Sequence, residues 1–263
     1  MKTALQKVVV CLSCLVLAES AFGIVGYINL NLEPGVNLIA NQLLATPDNS
    51  LDSILNAGSS GGGLADGTSF TMWSSGAFLP TSYYDAYSGS WSINYQFNLG
   101  QGGYLVSPAQ VAVVNTFVGN VGPYLDINTG NNVGWTPNYA NGMQLISNPS
   151  PIAGPLSTEF FNVTGRAPVA GEGVATFDPL SQTYTESFFN GSLWMDQSLL
   201  NPSTATLAVG QAAWFALGAD YSMSIPSPVP EPGVWTLVGL GAGLLFLRRR
   251  QPRTVLQPVA SGR

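Results

Sequence analysis

The sequence predicts an all-β protein: two similar consecutive β-sandwich or small-barrel units, then a C-terminal transmembrane helix. Three observations carry this. Short apolar–polar alternations, separated by Gly-, Pro- and Asn-rich turns, recur about every 8–12 residues, and few windows hold a helical period. Three groups of residues recur in the same order 105–110 positions later. An uncharged run, Gly233–Leu247, lies near the C-terminus between a Pro-rich stretch and an arginine cluster.

At the N-terminus, Lys2 and Lys7 precede the apolar run Val8–Ala18, and small residues follow at Ser20, Ala21 and Gly23. Positive, apolar, then small is the order of a secretory signal peptide, here residues 1–23. Cleavage is expected before Ile24, with Ala18-Glu19-Ser20 as the alternative site. Cys11 and Cys14 are the only cysteines and leave with it. The exported chain is then expected to lack disulfides, thiol nucleophiles and thiolate metal sites.

The first unit spans residues 24–122. Tyr27–Leu32 alternates, setting Ile28, Leu30 and Leu32 on one face and Tyr27, Asn29 and Asn31 on the other. Glu33-Pro34-Gly35 reads as a turn, and Val36–Asn41 returns as a strand. Leu51–Ala57 predicts a short helix capped by Asn49 or Ser50. Ser59–Gly63 is a loop. Trp91–Phe97 alternates and predicts a strand with Trp91, Ile93, Tyr95 and Phe97 together. Gly100–Gly103 turns into the strand Tyr104–Ser107, and Gln110–Val118 is a further β-branched run. The second unit spans 123–225, with a short helix expected over Leu156–Phe161.

The repeat argues for the pairing of units. Pro34–Asn41 is echoed by Asn141–Asn148 at an offset of 107, and Leu99–Val106 by Val209–Ala216 at an offset of 110. Between them, Phe70-Thr71-Met72-Trp73 and Tyr83-Tyr84-Asp85 fall near Ala175-Thr176-Phe177-Asp178 and Phe188-Phe189-Asn190. This pair of motifs, Gly-x-Asn-Leu-Ile and Gly-Gln-Gly-x-Tyr/Trp, resembles β modules of secreted bacterial surface proteins. That likeness implies an extracellular module and transfers no catalytic residue.

Charge narrows the function. Between Gly23 and Val229 there are twelve acids and one cation, Arg166. Phosphate binding demands Lys and Arg, so no nucleic acid partner is expected. Direct ion pairing with anionic lipid or polysaccharide is disfavoured unless a divalent cation bridges. Aromatic content of 11% and a hydrophobic fraction of 46% suffice for a packed core.

Chemistry is sparse. There is no histidine, which removes Ser-His-Asp and Cys-His catalysis and the usual zinc sites. The exported part has no lysine for a phosphate-cradling loop. Glycoside hydrolysis needs only two carboxylates, and Glu159, Glu172 and Glu186 cluster in the second unit, but the first unit has no counterparts to them. The expectation is a non-enzymatic protein without a cofactor. Asp126 and Asn128 begin a run of alternating oxygen ligands, a weak calcium candidate: position twelve is Pro137, so the bidentate glutamate of an EF-hand is missing. Among the aromatics, Trp135 and Tyr139 sit in the polar link Asn128–Asn141 and are the candidates for stacking on sugar rings.

The tail holds the most specific pattern. Val229-Pro230-Glu231-Pro232 is rigid and non-helical. Gly233–Leu247 would be about 22 Å long as a helix, a short membrane span. Arg248, Arg249 and Arg250 follow and mark the cytoplasmic side. Residues 226–250 form this segment, and 251–263 a basic tail. The order Pro230-Glu231-Pro232, apolar helix, arginine cluster resembles the bacterial PEP-CTERM sorting signal; the tail Gln251–Arg263 is longer than that pattern leads one to expect. The resemblance covers about a tenth of the chain. It implies a membrane protease, an exosortase, as processing partner, anchoring by the C-terminal helix in transit, and delivery to the cell surface or an extracellular matrix. Members of that family accompany exopolysaccharide production, so the resemblance also implies polysaccharide or other matrix components as partners.

Overall fold

The computed structural model describes residues 25–55, 63–122, 125–126, 129–132 and 139–218. The predicted signal peptide, most of the Ser59–Gly63 loop, Asn128 and Trp135 lie outside the described residues. So do the expected transmembrane segment and the expected sorting residues Pro230, Glu231, Pro232 and Arg248–Arg250. All described residues fall in one compact unit that extends to Ile225.

The first half contains β1 (Val25–Leu32), β2 (Gly35–Ala40), β3 (Leu43–Leu44), helix α1 (Leu51–Leu55), β4 (Ser69–Ser74), β5 (Ala77–Phe78), β6 (Ser82–Asp85), β7 (Ser90–Trp91), β8 (Gly102–Ser107) and β9 (Val113–Val121). The second contains β10 (Leu125–Asp126), β11 (Asn131–Asn132), β12 (Gly142–Ile146), β13 (Gly154–Pro155), α2 (Leu156–Thr164), β14 (Gly173–Asp178), β15 (Thr183–Phe189), β16 (Trp194–Asp196), β17 (Thr206–Leu207) and β18 (Ala213–Leu217). The protein is predominantly β, built of several antiparallel sheets. The small-barrel form of the prediction gives way: no sheet closes on itself among the described residues.

Two sheets organise the fold. The first runs β2-β8-β4-β6-β7, with β5 pairing β4; the second runs β12-β18-β14-β15-β16. The strand order is the same in both, and each short helix lies between the first two strands of its sheet in sequence. Leu38 stands opposite Tyr104, and Leu145 opposite Trp214, as the two longer echoes require. The third echo shifts by one. Ser69 opposes Val106 and Gly173 opposes Ala216, which sets Trp73 against Phe177 and not Asp178. A one-residue slip exchanges the faces of a strand, and both rings belong to the core between the sheets.

The alternation sorts side chains into three cores. Ile39, Phe70, Leu105 and Trp91 pack within the first half, and Ile146, Val174, Phe215 and Phe160 within the second. The opposite faces meet: Leu38, Trp73 and Tyr104 pack with Leu145, Phe177 and Trp214. Trp214 Nε1–H donates to Tyr104 Oη at 2.9 Å, and the hydroxyls of Tyr104 and Tyr184 lie 2.6 Å apart. Backbone contacts across the junction are reciprocal. Ala40 N–H donates to Gly210 O at 2.8 Å, and Ser147 N–H to Gly100 O at 2.9 Å. Gly102 permits this approach, since a Cβ there would lie 2.7 Å from Ala212 Cβ and 2.9 Å from Leu145 O.

Local predictions fare unevenly. In β1, Ile28, Leu30 and Leu32 point inward as expected, paired along β9. The expected Gln110–Val118 strand begins and ends three residues later. Ser50 caps α1, accepting Ser53 N–H at 3.3 Å. Helix α2 runs past Phe161 to Thr164 and stops at left-handed Gly165. The predicted strand Trp91–Phe97 survives only as Ser90–Trp91. Scattered bonds take the backbone beyond it: Ser82 Oγ donates to Ile93 O at 2.8 Å and accepts Ile93 N–H at 3.0 Å, Leu51 N–H donates to Tyr95 O at 2.9 Å, and Phe97 N–H donates to Asn49 O at 2.7 Å.

Candidate functional site

Beside the junction of the two sheets lies a cleft of about 670 Å³, within the size range of small-ligand sites. One wall is the β4–β5 hairpin, with Trp73, Ser74, Ser75 and Gly76, together with Gln101. The other is the approach to β12 and β12 itself: Tyr139, Asn141, Met143, Gln144 and Leu145. Trp73 pairs with Phe78 and Ser74 with Ala77, which leaves Ser75 and Gly76 as a two-residue tip. Both have positive φ (52° and 84°), the geometry of a tight turn matched to strand twist.

Among the described residues, no acid or base lines this cleft. Its polar groups are amides, hydroxyls and backbone. Trp73 is 8% exposed, and its indole Nε1–H is buried without a hydrogen-bond partner. Gln101 uses Oε1 to accept Asn98 N–H at 2.8 Å, and among the described residues its Nε2 has no protein acceptor. Gln144 Nε2 donates to Ala140 O at 3.1 Å, tying the approach to the strand. Tyr139 packs against the core of the second half, and burial pushes its hydroxyl up to about 12.

Of the two residues expected to stack on sugar, Tyr139 lines the cleft, and Trp135 is outside the described residues. The remaining aromatics divide. Tyr87 is fully exposed, while Trp91 and Trp194 are core residues. Asp126 belongs to β10, and its carbonyl accepts Gly130 N–H at 2.7 Å. Asn128, the other calcium candidate, is outside the described residues. Among those described, no three His, Cys, Asp or Glu side chains converge as a metal site.

The glutamates are held apart in different surroundings. Glu159 is 1% exposed; it accepts Asn148 Nδ2–H at 2.7 Å and Asn162 Nδ2–H at 3.3 Å. Burial raises its carboxyl above the ordinary value, and the two amides pull it only partly back. Glu172 is fully buried and accepts four bonds: two from Arg166, and one each from Val169 N–H and Gly218 N–H, both at 2.8 Å. Burial alone would raise Glu172, but the guanidinium and the two N–H groups outweigh it and hold the carboxyl low. Arg166 also sits over the Phe160 ring at 5.6 Å. Glu186 is half-buried on β15.

Reasoning from sequence missed Trp73, Gln101, Met143 and Gln144 as neighbours of Tyr139. The echo that aligns Val36 with Met143 holds the available signal, but only the pairing of sheets brings the β4–β5 tip to that edge.

A family model, the PEP-CTERM protein-sorting motif, matches residues 228–251. That motif marks an exported protein sorted by an exosortase and associated with the membrane in transit. No curated protein and no solved structure matches the chain. Among the described residues, no helix is long and apolar enough to cross a membrane.

Proposed function

We propose that this exported, exosortase-sorted chain is a non-enzymatic surface or matrix protein, whose β body associates with extracellular polysaccharide after the tail has delivered it. The observation that carries the reading is the sorting motif at residues 228–251 behind a body built on two sheets of one strand order. In this reading the body is two copies of one unit fused through a shared core. A cleft with aromatic and amide walls and, among the described residues, no charge supports binding to a neutral polymer. A calcium bridge would let the acidic exterior also meet an anionic one.

The glycoside-hydrolase alternative requires two carboxylates facing one sugar bond. Glu159 and Glu172 are instead each enclosed in a separate hydrogen-bonded network, which favours the binding reading.

The reading is tested with processed protein recovered from producing cells, mixed with those cells' own polysaccharide with and without calcium. Co-sedimentation supports it; no association in either condition defeats it, and the body is then a spacer or a dock for another protein. Separately, replacing Arg248, Arg249 and Arg250 with Ala is expected to leave the body folded and the protein unsorted in cell fractionation. Unchanged localisation would count against the sorting role of the cluster.

A further inference from the structure

The two sheet edges beside the junction are treated differently by the chain. On the first sheet, one carboxamide takes both outward groups of Val36. Gln182 Oε1 accepts Val36 N–H at 3.0 Å, and Gln182 Nε2 donates to Val36 O at 3.0 Å. The four-residue tip between Asp178 and Thr183 brings Gln182 there.

Register makes Met143 the counterpart of Val36: Val36 opposes Val106 in β8, and Met143 opposes Ala216 in β18. In an antiparallel pair, alternate residues turn N–H and C=O away from the partner strand. Ser147, of the same parity as Met143, sends its N–H outward to Gly100 O. The N–H and C=O of Met143 therefore leave the edge of β12 on the side of the cleft that Met143 lines. The hairpin on this side has only Ser75 and Gly76 at its tip. It carries no carboxamide, and among the described residues no side chain takes the Met143 pair.

A ligand for this edge must present an acceptor and a donor side by side, as Gln182 does. Adjacent sugar hydroxyls do so, since each O–H both donates and accepts. A residue of an extended peptide does so as well, its own N–H and C=O leaving on one side, so the walls of the cleft choose between them. The surroundings agree with a sugar. Trp73 has a buried donor without a partner, Tyr139 lines the cleft, and among the described residues no charged group is present to meet an ionic ligand.

We propose that the cleft binds a neutral saccharide, held through a vicinal diol on the backbone N–H and C=O of Met143 with the sugar ring against Tyr139. The proposal rests on the matrix reading for its ligand class and adds the place and the contact.

The test titrates full-length protein in zwitterionic micelles with neutral trisaccharides of glucose, mannose and galactose, following heat and the Met143 amide resonance. Saturable binding of at least one, with that resonance shifted, is expected. Tyr139→Ala should weaken it about tenfold or more. Met143→Pro removes an outward donor on an edge strand, where proline is tolerated, together with a side chain packed against the shared core, and should abolish it, whereas Met143→Leu, which keeps the donor, should not. Exchanging Ser75-Gly76 for the sequence of Pro179-Leu180-Ser181-Gln182 should supply the missing carboxamide in cis, abolish binding and keep the fold.

Failure of all three sugars to bind overturns the site. So does unaltered binding in a folded Met143→Pro or tip-exchanged protein. Binding of a primary amide such as propionamide, or of a short extended peptide, at Met143 without any sugar binding would also overturn it, in favour of a protein occupant. Co-sedimentation with the native polysaccharide, run on the same variants, separates the two readings. If it persists while the cleft fails, the matrix reading stands without this site; if it is lost for wild type as well, both fall.

Discussion

Arg166 and Glu172 form the one described ion pair, with a fully buried carboxylate and a half-exposed guanidinium. Removing the cation leaves Glu172 with two backbone donors, an uncompensated buried charge. Arg166→Ala should cost on the order of 2–3 kcal/mol in denaturant unfolding at neutral pH, below the fully buried case because Arg166 is 42% exposed. The two buried glutamates respond to pH with opposite sign. Glu172 titrates lower when folded, so its stabilisation is present above the unfolded carboxylate value and fades as pH falls through the folded value. Glu159 titrates higher when folded, so its contribution is present at acid pH and is lost as pH rises through the folded value. Glu159→Gln should therefore stabilise the protein at pH 8 relative to pH 4, measured as the change in unfolding midpoint against wild type. A variant that only destabilises, equally at both pH values, would mean that the carboxylate is ionised in place.

Strands β8 and β12 meet where Gly102 stands, with Ala212 as its counterpart in the second half. There is room for hydrogen there and no more. Gly102→Val should cost about 1–3 kcal/mol through overpacking, read in thermal unfolding. A neutral result would mean that the strand edges separate easily. Most elements were legible at this scale. The alternation in Tyr27–Leu32 named the buried face correctly, and the Gly-Gln-Gly-x-Tyr/Trp motifs marked β8 and β18. Trp91–Phe97 misled because its alternation is real but its backbone bonds scatter among separate partners, Ile93 to Ser82 Oγ, Tyr95 O to Leu51 N–H and Phe97 N–H to Asn49 O, and form no ladder. Period alone cannot tell a ladder from such a substitute. The cleft was legible only at Tyr139, whose polar setting signalled an unusual aromatic; the groups opposite it come from residues 38 to 66 positions earlier.

Across the whole molecule, the two sheets share an aromatic core in which Leu38 and Leu145 hold equivalent places. Leu38→Ala and Leu145→Ala should each cost on the order of 2–5 kcal/mol, because neither cavity can collapse against a rigid partner sheet. The double variant should depart from additivity, since both side chains border one core. Strict additivity would mean that the halves unfold independently. The strand content, the buried faces, the recurrence of Leu38 and Tyr104 at Leu145 and Trp214, and the sorting tail follow from the sequence by itself, because each is written in a local period or a contiguous motif. The tertiary structure alone decided that opposite faces of the two sheets meet, that Glu159 and Glu172 are enclosed in separate networks, and that a two-residue tip beside Met143 leaves a cleft where a four-residue tip covers Val36. Those outcomes depend on which distant strands become neighbours, and no local pattern encodes how far apart in the chain two packed residues lie.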